Sequence, residues 1–242
     1  MMPPPAFPIA EIARHLPFLG VPYRWLSALR HVLAPCQGTY SQHGEDAHLL
    51  NELIRAGGGN LGNMFYVDIG ASHPTRLSNT YLLYRHGAKG IVIEPNMELL
   101  RQHKFFRKRD IHLPIGCGST ACLGRFHVAA TPVLSSFCEK EIQGGKIRGM
   151  KVLREEYVPI LPLDAVMLEF PYTRIDVLSI DTEGLDLEVL KGARETLKHT
   201  VLLVVEANSP EEEEGVMNHL AGRFVLSKKC GCNLILKNAS FA

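Results

Sequence analysis

The chain has 242 residues, 46% of them hydrophobic and 21% charged, and its formal net charge is +1. That length suits one large domain whose core needs no staples, and the composition is that of an ordinary globular protein. The near-neutral balance gives no reason to expect a nucleic-acid partner, and no stretch reaches the ~18 consecutive apolar residues of a membrane span.

The first 39 residues are apolar and proline-rich, with Arg14, Arg24 and Arg30 scattered through them. Prolines at 3, 4, 5, 8 and 17 interrupt any apolar run behind a basic start, so no signal peptide is read. Two short helices are expected near 9–15 and 23–33. This segment reads as an extension packed on the core or a disordered tail. A lid over a site, an amphipathic membrane contact and a surface buried against a second subunit are the sharper alternatives.

From Tyr40 onward strands and helices alternate. Leu49, Leu50, Leu53 and Ile54 make a stripe at helical spacing that stops at Gly57-Gly58-Gly59. Residues 64–70 are a short buried strand broken at Gly70, and 75–86 are expected to be a helix with Gly87 as its stop. Residues 90–95 form a second buried strand, 97–109 a helix and 112–115 a weaker third strand. Residues 125–130 and 151–159 have β character on either side of a Ser- and Gly-rich loop. A fourth strong strand at 175–181 precedes a helix carrying Leu185, Val189, Ala193 and Leu197 at i+4 steps. A fifth strand covers 201–206. Then Ser209-Pro210-Glu211-Glu212 matches a helix start, with Ser at the N-cap, Pro at N1 and Glu at N3. The acidic run there suits the positive end of a helix dipole. Residues 224–227 and 233–237 flank Lys-Lys-Cys-Gly-Cys and read as a closing hairpin. The pattern implies an α/β domain over 40–242: a mostly parallel sheet covered on both faces, with an antiparallel strand at its end.

The six cysteines, Cys36, Cys117, Cys122, Cys138, Cys230 and Cys232, form no CxxC pair. Cys230-Gly-Cys232 is too close for a comfortable bridge and has no flanking His cluster, so no zinc site is expected. All six are read as free thiols in a reducing, cytoplasmic compartment.

In open α/β sheets ligands bind beyond the carboxyl ends of the strands, where strand order switches. After the first strand stands Asp68-Ile69-Gly70-Ala71-Ser72-His73-Pro74, a tight turn whose single glycine lets backbone approach a ligand. It is not GxGxxG, which counts against a dinucleotide-dependent oxidoreductase or epimerase. Glu94, ending the second strand before Pro95, is placed to accept both hydroxyls of a ribose. Asp110 is a candidate for an adenine amine, with a solvated charge as the alternative. Asp181-Thr182-Glu183-Gly184 follows the fourth strand. Its two carboxylates either cap the next helix, bind a cofactor amine, orient a substrate or take a proton. Asp181 has no evident second and third metal ligand, so no metal is expected. His73 is an outside candidate base or a polar turn residue whose ring caps the next helix.

Taken together, Phe65-Tyr66-Val67-Asp68-Ile69-Gly70-Ala71, Val92-Ile93-Glu94-Pro95 and Leu178-Ser179-Ile180-Asp181-Thr182-Glu183-Gly184 with Leu190-Lys191-Gly192 resemble the FkbM-type methyltransferases. Tyr40-Ser41-Gln42-His43-Gly44-Glu45-Asp46 resembles the Ser-Gln-x-Gly-Glu-Asp signature of one branch, and Ser78-Asn79-Thr80 and Leu134-Ser135-Ser136-Phe137 resemble further landmarks. The resemblance covers about 40–207.

It implies a Rossmann-like class I methyltransferase fold binding S-adenosylmethionine, with S-adenosylhomocysteine as product. It assigns Asp68 and Gly70 to the methionine end, Glu94 to the ribose and Asp181 to the floor of the transfer site. Gln42 and Glu45 close over the methionine portion. Where many members have Asn-x-Gly after the motif's Ala, this chain has Ser72-His73-Pro74, which leaves the contact of Ser72 open. The expected activity is methylation of a hydroxyl on a small-molecule or glycan acceptor. Asp181, Glu183 or His73 would handle the proton, and Ser78, Asn79, Ser135 and Ser136 would be substrate contacts. A relative that binds the nucleoside without chemistry is the other reading.

Overall fold

The computed structural model describes residues 38–56, 60–147 and 149–241. The readings made for residues 1–37 therefore lie outside the described residues. In chain order the elements are α1 (Glu45–Arg55), β1 (Phe65–Ile69), α2 (Tyr81–Arg85), β2 (Lys89–Ile93), α3 (Met97–Phe106), β3 (Ile111–Leu113), β4 (Gly116–Cys117), β5 (Cys122–Ala129) and α4 (Glu139–Ile147). There follow β6 (Val152–Leu161), α5 (Leu163–Met167), β7 (Ile175–Ile180), α6 (Asp186–Lys191), β8 (Thr200–Glu206), α7 (Pro210–Leu220), β9 (Phe224–Cys230) and β10 (Asn233–Asn238).

Seven strands form one sheet in the order β3-β2-β1-β7-β8-β10-β9. The first five are mutually parallel, and β10 runs antiparallel to both β8 and β9. The order reverses between β1 and β7, which is the switch point where such sheets open a crevice. Alternate side chains serve opposite faces. Phe65, Val67 and Ile69 of β1 join Leu203 and Val205 of β8 in one buried cluster. Tyr66 joins Leu202 and Val204 in the other, with Leu49 and Leu53 of α1. Both faces are thus covered, which is why these strands read as continuous apolar runs.

Three expected elements differ. The helix expected at 75–86 is confined to Tyr81–Arg85. Ahead of it, residues 71–80 follow an irregular path, with left-handed φ at Ser72 and Leu77. The helix expected to run through Leu197 breaks at Gly192, and a 3₁₀ turn covers Thr196–His199. The two β segments expected around a loop do form, but within a second sheet, β4-β6-β5, and the intervening loop contains α4. The N-cap at Ser209 is as expected: its hydroxyl accepts from Glu212 N at 3.2 Å. The closing hairpin also forms, with β9 continuing through Lys228-Lys229-Cys230 so that only Gly231 and Cys232 turn the chain. No helix among the described residues is long and apolar enough to cross a membrane.

Candidate active site

Strand register aligns the site. Ile69 lies beside Ile93 and Ile180, and Ile180 beside Val205. The next residue on each strand, Gly70, Glu94, Asp181 and Glu206, therefore falls in one row along the carboxyl edge. Asn233, the first residue of β10, pairs with Glu206 and extends that row. A cavity of about 330 Å³ opens along it, within the size of small-molecule sites, about 300–1,000 Å³.

The β1–β7 junction is the tightest point. Gly70 has φ of +72°, and a Cβ there would stand 1.8 Å from the Asp181 carbonyl oxygen. Only glycine lets the two strand ends close in this way. Beyond it, Ser72 takes a left-handed φ of 48°. Its N–H donates to Glu94 Oε2 at 2.8 Å and its carbonyl lies 3.0 Å from His103 Nε2. Asn96 N donates to the other Glu94 oxygen at 2.7 Å. The Glu94 carboxylate is thus held in place at the cavity end beside Ile93, Pro95 and Ile115. Burial pushes its pKa up to about 7, against the opposing pull of those two N–H groups. The Ser72 hydroxyl is buried and makes no hydrogen bond among the described residues. A fixed carboxylate, an unengaged hydroxyl and a side-chain-free turn are what a ribose and its attached chain require, so these residues fit a nucleoside cofactor.

After β7 the chain makes a turn through Glu183 and Gly184, both at positive φ. The Asp186 carboxylate accepts from Thr182 N at 3.1 Å and Gly184 N at 3.4 Å. Asp186 therefore caps this turn, and Asp181 and Glu183 line the cavity. Burial raises the Asp181 pKa well above the usual carboxylate range, and Glu206, Asp186, Glu183 and Asp68 push it further. Burial, then Glu206, raises Asp186 to about 7. The loop before α4 closes the cavity from the smaller sheet: Ser136 donates to the Glu183 carbonyl at 3.0 Å, and Ser135 accepts from Ala129 N at 3.0 Å.

The structure brings Gln42, Gly70, Ser72, Asn79, Glu94, Pro95, Ser135, Ser136, Asp181 and Glu183 together around one cavity. Five other expected contacts stand off its wall. Asp110, expected near an adenine, accepts from Tyr66 Oη at 2.6 Å, Arg107 Nε at 2.8 Å and Gly90 N at 3.0 Å, which commits its carboxylate to the framework. Asp68 accepts from the Thr80 hydroxyl and pairs with Arg107 at 3.5 Å. Ser78 accepts from Tyr81 N at 3.1 Å. His73 accepts through Nδ1 from Thr75 N and Arg76 N, at 3.2 and 3.1 Å, so its ring organises the turn rather than reaching an acceptor. Glu45 is fully buried beneath the wall, accepting from His43 N at 2.8 Å and from the wall residue Asn233.

Glu206, Asn208, Cys232 and Asn233 also line the cavity, although no sequence motif marks them. Glu206 ends a predicted strand as Glu94 does, and that parallel could have found it. Asn233 could not be found this way, because its place depends on the β8–β10 register.

No curated relative matches the sequence. Among solved structures, a putative rRNA methylase from Clostridium thermocellum aligns at 9% identity over 72% of this chain and 86% of its own, with a TM-score of 0.41. An O-methyltransferase from Bacillus cereus in complex with SAH aligns at 11% identity over 94% of each chain, TM-score 0.42. A putative RNA methyltransferase from Pyrococcus horikoshii aligns at 14% identity over 94% of each chain, TM-score 0.40. The family model described as the methyltransferase FkbM domain matches residues 68–233. That span takes in every residue of the edge row, Gly70, Glu94, Asp181, Glu206 and Asn233, and the chain belongs to the FkbM methyltransferases, whose methyl donor is S-adenosylmethionine.

Proposed function

We propose that the protein transfers a methyl group to a hydroxyl of a sugar, glycan or natural-product acceptor. The observation that carries this reading is the partly buried Asp181 carboxylate on the edge row between Gly70 and Glu206, with Glu183 two residues on. When bound, the cofactor supplies a methyl group on a sulfonium. Glu94 holds the ribose, and the Gly70 turn lets that chain pass close to backbone. Asp181, with Glu183, orients the acceptor oxygen and takes its proton as it becomes nucleophilic. A cation admitted beside Asp181 favours its ionised form, which offsets the effect of burial. Asn79, Ser135 and Ser136 flank the acceptor.

A hydroxylated small molecule is favoured over RNA by the charge of the wall. Among the described residues lining the cavity, Glu94, Asp181, Glu183 and Glu206 are acidic and none is Lys, Arg or His. Nucleic-acid binding is led by basic contacts to phosphates.

The test is methyl transfer from labelled S-adenosylmethionine to a panel of glycosides and hydroxylated natural products. At least one of Asp181→Asn and Glu183→Gln should lower turnover on the order of 10²–10⁴-fold, with S-adenosylhomocysteine affinity changed only a few-fold. Near-normal turnover in both variants, or preferential methylation of RNA, would sink the proposal.

A further inference from the structure

The far end of the edge row holds a second polar cluster that the transfer chemistry above does not use. Asn233 is 3% exposed, and its Nδ2 donates to Glu45 Oε1 at 2.8 Å. Glu45 is itself fully buried and fixed by His43 N. In this contact the amide nitrogen faces Glu45 and Oδ1 faces away. Oδ1 is buried and makes no hydrogen bond among the described residues, while Asn233 lines the cavity. On the paired residue, Glu206, Oε1 accepts from Cys232 Sγ at 3.3 Å and Oε2 is likewise buried without a partner. A buried acceptor left unmade is costly, and native structures rarely keep one without a use.

Two adjacent unmet acceptors, one an amide oxygen and one a carboxylate, call for a donor carrying several N–H groups and positive charge. No lining residue among those described supplies one. A molecule anchored by its ribose on Glu94 and passing Gly70 and Asp181 ends its amino-acid tail at this end of the row, beside Gln42. We propose that Asn233 Oδ1 and the Glu206 carboxylate form the site for the α-ammonium of the methionine portion, with Glu45 as the residue that positions the Asn233 amide. The inference rests on S-adenosylmethionine being the cofactor.

The experiment compares two ligands by calorimetry: S-adenosylhomocysteine, and its analogue with hydrogen in place of the α-amino group. Each is titrated into wild type, Asn233→Ala and Glu206→Gln, with thermal unfolding to verify that each variant is folded. Both variants should lose on the order of 10–100-fold in affinity for S-adenosylhomocysteine, as for a hydrogen bond to a charged group, and less than about 3-fold for the deaminated analogue. Equal losses for both ligands would overturn the assignment in favour of a structural role. Unchanged affinity for both would overturn it too, and would move the cluster to the acceptor. Wild type that binds neither ligand would overturn the cofactor assignment itself, an outcome distinct from either variant result.

Discussion

Arg107 has no solvent exposure and joins residues from three parts of the chain. Its guanidinium meets Asp110 at 2.8 Å, Thr80 Oγ1 at 2.8 Å and Asp68 at 3.5 Å, and it lies 5.1 Å from the centre of the Tyr66 ring. Tyr66, raised well above its usual range chiefly by burial, stays protonated and donates to Asp110. Two buried carboxylates thus share one cation, and the Asp68 of the family signature serves the seating of β1 against the turn before α2. Arg107→Met removes the cation and leaves both acids uncompensated. The expected loss is about 3–5 kcal/mol, read as a lower urea midpoint at unchanged slope. Arg107→Met combined with Asp110→Asn should recover part of it. The sequence offers Asp68, by resemblance, and Asp110 as ligand candidates, the latter with a solvated charge as the alternative, whereas the structure pairs both with Arg107. Their partner is a single arginine in a charged helix end, and periodicity says nothing about which arginine folds inward.

At the scale of elements, the signature segments separate into cavity-lining residues and joints. Ser41 and Asp46 hold the turn before α1: Asp46 accepts from Tyr40 N at 2.7 Å and Ser41 Oγ at 2.8 Å, and Gly44 takes φ of 84°. Of that signature only Gln42 lines the cavity. Gly192 is also a joint. A Cβ on it would stand 2.0 Å from the Gly118 carbonyl oxygen and 3.2 Å from Pro162 Cα, so it lets the end of α6 press on the smaller sheet. Gly192→Ala must part these backbones. We expect about 1–3 kcal/mol of destabilisation, as for other overpacked sites, with weaker S-adenosylhomocysteine binding because Gly118 follows the cavity residue Cys117. Thermal unfolding and calorimetry on the one variant check both. The strands of the main sheet were legible because both faces bury apolar residues. The two long strands of the smaller sheet were read as β segments, but not their joining in a separate sheet, because β5 and β6 leave Leu123, Arg125, Leu153 and Tyr157 exposed and so lack that continuous pattern.

For the whole molecule, the acids in and beside the cavity couple stability to pH. Glu94 and Asp186 each titrate near 7 when folded, and Asp181 is raised as well. Because these carboxyls hold their protons more tightly in the folded chain, the stabilisation is complete below their ordinary values of 3.8 and 4.5 and is lost as pH rises through about 7. A shift of this size corresponds to something on the order of 3 kcal/mol per group. The ligand-free protein should therefore unfold at a lower temperature at pH 8 than at pH 5.5, and Glu94→Gln should flatten that dependence. A temperature of unfolding that rises with pH in wild type would show that the edge carboxyls are ionised throughout. Saturating S-adenosylhomocysteine should raise the melting temperature at pH 8, since it binds the folded form alone.

The two outer strands of the main sheet bear on how the molecule behaves in a crowd. One is β3, only three residues long. The other, β9, places Lys228 and Lys229 on its exposed stretch and pairs with β10 through a register shift at Ile235/Leu236. Short length, lysines and an irregular ladder each discourage a second chain from adding its own strand. The same strand carries Val225 at 61% and Leu226 at 40% exposure. With Lys228 and Lys229 replaced by threonine, that strand would lose its charges and offer an uncharged, β-prone edge, and light scattering should then report faster edge-to-edge aggregation with the circular dichroism of the fold unchanged.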